Sequence, residues 1–261
     1  MNTTAAMTMA VALLTPALAS AGGPFDGTWK TRVDSIKASG KPDSFELIQG
    51  MYHCGSCVPD VKVKADGSDQ SVSGHDYFDS VAVRIVTPTA IEITYKGGGK
   101  TVAIASYSVS DGGAQLNARY IDYTAAQPAS ATFTEKRVGP APAGAHAISG
   151  SWQTDKVSEM ADVARTVSYV MTADALKMEY NGQNYDAKFD GKEYPINGDP
   201  GRTVVTVKRI GADTIEEIDK RGGKVTDIFR STVSGDGKTM HVVDNDPVHE
   251  TRLSYTMDKQ P

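Results

Sequence analysis

Two cysteines stand three residues apart in Tyr52-His53-Cys54-Gly55-Ser56-Cys57-Val58-Pro59. A C-x-x-C pair suits a disulfide, a thioredoxin-type redox site, or half of a metal site that His53 and His75 would complete. A redox cysteine needs a helix N-terminus to lower its thiol pKa, but Pro59 pushes Val58 toward an extended conformation and Val61-Lys62-Val63 alternates as a strand does. Adjacent His53 and Cys54 on an extended chain point to opposite faces, which works against joint coordination. The expectation is a Cys54–Cys57 disulfide, with no metal and no cofactor. In the chain-entropy account so small a ring is worth about 2 kcal/mol, so it would fix a local turn rather than hold a domain.

Other reactive residues are scattered. His146, His241 and His249 show no H-x-H or H-x-x-x-H spacing, and there is no G-x-S-x-G elbow, S-x-x-K set or glycine-rich phosphate loop. Asp76 with Asp79, or Glu216 with Glu217, would make an acid/base pair if they converged, but strand alternation sends Glu216 and Glu217 to opposite faces. The eleven tyrosines are more suggestive. A tyrosine offers an apolar face with a hydroxyl handle, which suits the mouth of a barrel holding an amphipathic ligand, although the first expectation for most of them is a half-buried strand position with the hydroxyl at the surface. The candidate binding residues are Tyr52, His53, His75, Tyr77 and Tyr107, gathered near the cysteine turn.

The elements that must position them come from an internal repeat. Asp26-Gly27-Thr28-Trp29 falls on Ser149-Gly150-Ser151-Trp152 at an offset of 123 residues. At an offset of 124, Ser44-Phe45-Glu46-Leu47 falls on Ser168-Tyr169-Val170-Met171, and Gly98-Gly99-Lys100 on Gly222-Gly223-Lys224. The chain therefore divides into units 22–138 and 147–261, joined by a Pro/Gly/Ala linker at 139–146. Within each unit apolar residues recur with period two, as in Val81, Val83, Ile85 and Ile91, Ile93, Tyr95, with turn chemistry between them. That pattern predicts an antiparallel meander, and closure into an up-and-down barrel removes its exposed edges. Short helical turns are expected only around Thr31–Ala38 and Asp155–Ala164.

Gly27-Thr28-Trp29 and Gly150-Ser151-Trp152 match the G-x-W motif that opens the first strand of lipocalins. With Asp190-Gly191-Lys192-Glu193-Tyr194-Pro195 and Val233-Ser234-Gly235-Asp236-Gly237-Lys238-Thr239, the chain resembles tandem lipocalin-like, calycin-type secreted bacterial proteins of unassigned activity. The resemblance implies an all-β fold of two tandem antiparallel lipocalin-like up-and-down β-barrels, with Trp29 and Trp152 as equivalent structural plugs. It implies little about chemistry.

The 27 basic and 32 acidic side chains give a formal charge of −5 with no basic block, so no nucleic-acid partner is expected. Residues 1–21 read as a signal peptide: Val11-Ala12-Leu13-Leu14 forms an apolar core and Ala19-Ser20-Ala21 a cleavage site. The expected location is periplasmic or secreted, with no stable membrane span after cleavage. The leading expectation is a protein binding a small hydrophobic or amphipathic ligand. A structural or interaction module of the cell envelope and a lyase, isomerase or hydrolase built on the barrel mouth are the alternatives. The sequence leaves the oligomeric state open.

Overall fold

The computed structural model describes residues 22–261, and the predicted signal segment lies outside the described residues. Two almost closed antiparallel sheets form two barrels. The first runs in the order Val61–Lys64, Met51–Cys54, Asp43–Ile48, Gly150–Met160, Ala129–Gly139, Gln115–Asp122, Lys100–Ser110, Ala90–Gly97, Ser80–Thr87, Gln70–Ser71. The second runs Gln183–Lys188, Ala175–Tyr180, Thr166–Met171, Gly27–Thr31, Thr251–Lys259, Thr239–Asp246, Lys224–Val233, Thr214–Arg221, Val204–Arg209, Tyr194–Pro195, with Lys37–Gly40 also on Thr251–Lys259. Period-two alternation does the sorting, since Val81, Val83, Ile91 and Ile93 all point into the first barrel and are buried there.

The expected fold class holds, but the barrels do not follow the repeat boundaries 22–138 and 147–261. Each unit lends its first strand to the other. Trp29 pairs with Val167 and Lys259 inside the second barrel, while Trp152 pairs with Asp43 and Arg137 inside the first. Both indoles are fully buried in the borrowed barrel's core, Trp29 with Leu176, Val205 and Ile215, and Trp152 with Leu47, Val83 and Leu116. Sequence similarity cannot separate pairing within a unit from pairing with its twin, because the two strands offer the same pattern to the same neighbours. The chain crosses between barrels at Lys41-Pro42, and again between Met160 and Thr166.

Local contacts repeat around both tryptophans. The indole Nε1 of Trp29 donates to the Phe25 carbonyl and that of Trp152 to the Ile148 carbonyl, each at 2.8 Å. A cation covers each ring, Arg137 at 3.9 Å from the Trp152 centroid and Lys259 at 5.3 Å from that of Trp29. Arg137 also donates to the Gly113, Ala147 and Ser149 carbonyls, pinning the end of the linker to the first barrel. These neighbours explain the motif glycine. A Cβ on Gly150, which sits at φ +129°, would lie 2.3 Å from the Arg137 guanidinium.

Closure differs between the barrels. In the second, Asn184 and Asn197 exchange two backbone hydrogen bonds across the seam, of 3.0 and 2.8 Å. In the first, the Gln70 side chain takes the place of a strand, accepting from Lys64 N–H at 2.9 Å and donating to its carbonyl at 2.7 Å. The helical expectations shrink to a 3-10 turn at Val33–Ser35 and one α turn at Asp162–Arg165. Most of Asp155–Ala164 is instead part of the eleven-residue strand Gly150–Met160, whose partner Ala129–Gly139 holds it extended through three register shifts. Among the described residues no helix is long and apolar enough to cross a membrane.

Candidate functional site

The tryptophan ends of both barrels are packed with apolar side chains. The opposite ends face each other and line a partly open cavity of about 880 Å³. The first barrel contributes inward positions at its strand ends, Tyr95, Ala103, Tyr120 and Asp122, and the 74–78 loop with His75, Tyr77 and Phe78. The second contributes Tyr180, Ile196, Asp199, Arg221, Asp227, Asp246 and His249. Cys57, Val58 and Pro59 form part of the wall next to the expected disulfide, which is present.

Side chains from the two barrels interlock at the rim. Tyr77 donates from its hydroxyl to Asp199 Oδ1 at 3.0 Å, and its ring lies against Gly201, where a Cβ would sit 2.7 Å from the ring. Arg221 donates from Nε to Thr203 Oγ1 at 3.0 Å, stands 5.0 Å from the Tyr77 ring centroid, and reaches Asp76 at 3.7 Å and Asp227 at 3.5 Å. On the other side Asn181 clasps Gln127 through side-chain bonds of 2.8 and 3.1 Å. The cavity thus has two polar clasps at its rim and a wall that mixes aromatic and small apolar groups with polar and charged ones.

Burial raises the phenols of Tyr77 and Tyr120 to about 12, the Asp199 and Asp122 charges respectively adding to the effect and Arg221 opposing it at Tyr77. Both are hydrogen-bond donors at neutral pH. His75 stacks on Phe78 with ring centroids 4.2 Å apart, and its buried Nε2 has no hydrogen-bond partner. Burial lowers its pKa against the opposing pull of Asp76 and so favours the neutral ring. His249 is the opposite case, its pKa raised by the Asp246 carboxylate bonded to Nδ1 at 2.5 Å.

Of the five candidate binding residues, His75 and Tyr77 reach this cavity. Tyr52 and Tyr107 lie deeper in the first barrel, packed on Phe45 at centroid distances of 6.3 and 5.4 Å. His53 faces outward and pairs with Asp60 at 3.0 Å, because it neighbours the inward Tyr52 on one strand. Among the described residues no cluster of three or more metal-ligating side chains occurs. The cavity also belongs to both units, whereas the sequence reading centred the site on the first.

Sequence reasoning missed a set of buried acids. Ile215, Glu217 and Asp219 share one face of their strand, so alternation alone carries two carboxylates into the second barrel. Glu217 accepts from the hydroxyls of Tyr185 at 2.6 Å and Tyr169 at 3.5 Å. Burial raises it to about 7 against those two bonds, and raises Asp219 to about 8 with help from Glu217 and Asp227. Asp244 is raised to about 7 by burial and then by Asp227 and Asp246. In the first barrel Glu135, 1% exposed and with Oε2 unpartnered, is raised to about 8 by burial and then by Asp43.

These four groups bind protons more tightly folded than unfolded. Their ionisation therefore penalises folding progressively as pH rises from about 4 to about 8, and their stabilisation is complete only below that window. The urea midpoint should be lower at pH 8 than at pH 5. Glu135→Gln, which keeps the shape and drops the charge, should reduce that loss by about 2–3 kcal/mol. Equal pH dependence in the parent and the variant would show that Glu135 does not titrate in this way.

No protein-family model matches the chain, and no curated protein matches it.

Proposed function

We propose that this chain is an exported, lipocalin-like binding protein, periplasmic or secreted, that holds a small amphipathic ligand between its two barrels rather than inside either one. The observation that carries the reading is the cavity of about 880 Å³, where aromatic and apolar side chains from both mouths stand beside polar and charged ones, an amphipathic lining. Its size falls within the usual span for small-molecule sites, about 300–1,000 Å³. Export is supported by the Cys54–Cys57 disulfide. The lipocalin-like part rests on the two buried G-x-W tryptophans, each under a cation.

N-phenyl-1-naphthylamine, an uncharged probe that fluoresces in apolar surroundings, should bind saturably at one site per chain. Ala129→Trp places an indole in the cavity wall and should weaken that binding about tenfold or more, with little change in melting. The packed barrel cores favour a second reading, a structural or interaction module of the envelope. Probe binding indifferent to Ala129→Trp, with no small molecule in mass spectra of the natively purified protein, would favour that module instead.

A further inference from the structure

We infer that the ligand is a cationic amphiphile, an alkyl or aryl body carrying a protonated amine. The inference rests on the amphiphile-binding reading and adds the sign of the head group. Five aspartates line the cavity, Asp76, Asp122, Asp199, Asp227 and Asp246, against two permanent cations, Arg221 and Lys224. Arg221 is divided between Asp76 and Asp227, and Lys224 is exposed on the rim hairpin. Asp246 holds His249, and Asp199 accepts from Tyr77 and from the Gly201 and Thr203 N–H groups. His75 is shifted by burial toward its neutral form.

Asp122 is the carboxylate left over. Among the described residues it has no cationic partner, and the hydrogen bonds it accepts come from its own loop, Thr124 N–H and Oγ1, both on Oδ1 at 2.6 Å. Its other oxygen is available to a ligand. It lines the same cavity as Tyr120 of the first barrel and Tyr180 of the second, and after burial its charge is the next largest cause that raises both phenols. A carboxylate that shares a cavity wall with tyrosines suits an ammonium, which donates up to three hydrogen bonds and is attracted by aromatic faces. A carboxylate or sulfate head would instead lose its water against like charge.

The test is calorimetric titration of the full chain with three ligands sharing one tail, decylammonium, decyl glucoside and decanoate. Each is kept below its micelle-forming concentration, at pH 7 and low salt. Decylammonium should bind about tenfold or more tighter than decanoate, with the uncharged glucoside between them and the gap narrowing as salt is added. Asp122→Asn, which keeps the Thr124 bonds, should weaken decylammonium about fivefold and the uncharged glucoside by clearly less, so that the ratio between them falls. Decanoate binding as tightly as decylammonium, or a ratio untouched by Asp122→Asn, would overturn the cationic assignment and leave the amphiphile site standing. If that variant did not fold, the ratio in the parent chain would decide. Failure of all three to bind, or indifference of all three to Ala129→Trp, would remove the amphiphile site and the inference together.

Discussion

Trp29→Ala is expected to destabilise the second barrel, not the unit in whose sequence Trp29 lies, by about 3–5 kcal/mol, the range for emptying a buried tryptophan site. The indole is fully buried among Leu176, Val205, Val207 and Ile215, and its Nε1 bond to the Phe25 carbonyl would be lost with it. Trp152→Ala should do the same to the first barrel, where Leu47, Val83, Ile93 and Leu116 surround it. Amide hydrogen exchange distinguishes the two: in Trp29→Ala, protection should fall most across Val204–Val233, and in Trp152→Ala across Ser80–Asp122. Protection lost in the variant's own sequence unit would mean that the first strands are not exchanged in solution.

Dividing the chain in the linker should abolish both barrels unless the halves are reunited. A fragment of residues 22–145 lacks Gly150–Met160, so Asp43–Ile48 and the long strand Ala129–Gly139 become open edges and the site of Trp152 is empty. Residues 146–261 lack Gly27–Thr31 and Lys37–Gly40, which leaves Thr166–Met171 and Thr251–Lys259 paired on one side only and turns both into open edges. Each fragment does own a G-x-W strand, but the two are poor substitutes for each other. Gly150–Met160 is continuous over eleven residues and bulged to match Ala129–Gly139, whereas the first unit's version is broken by the turn at Val33–Ser35. Alone, each fragment should aggregate or melt without cooperativity, since long open edges recruit other chains. Mixed, the two should form a one-to-one complex with the sharp transition and blue-shifted tryptophan emission of the parent. Two fragments that melted cooperatively as separate monomers would contradict the exchange.

Much of the molecule was legible in the residues alone. Period-two alternation with turn residues between short runs has one stable outcome, an antiparallel sheet with one face buried, so strand content and barrel class could be read locally. The disulfide was legible for the same reason, because Pro59 and the alternating residues after it leave no helix on which a redox cysteine could act. Alternation also placed Glu217 and Glu216 on opposite faces, though not the tyrosines that meet Glu217 from across the barrel.

Pairing between homologous strands and the meeting of the two mouths were decided only in three dimensions. A duplicated sequence presents each strand with two nearly equivalent partners, so the choice of exchange rests on crossing geometry at Lys41-Pro42 and 160–166 and on how well each strand matches its neighbour's bulges. The cavity was invisible for a related reason. Tyr77, Tyr120, Tyr180 and Arg221 are ordinary strand-end and loop residues when read singly, and their spacing along the chain carries no period that a sheet or helix imposes. They share a cavity because the two barrels dock mouth to mouth, held by Tyr77 on Asp199, by Arg221 on Asp76 and by Asn181 on Gln127. Local sequence sets which way a side chain points from its own sheet, and only the docking of one sheet against another sets what it points at.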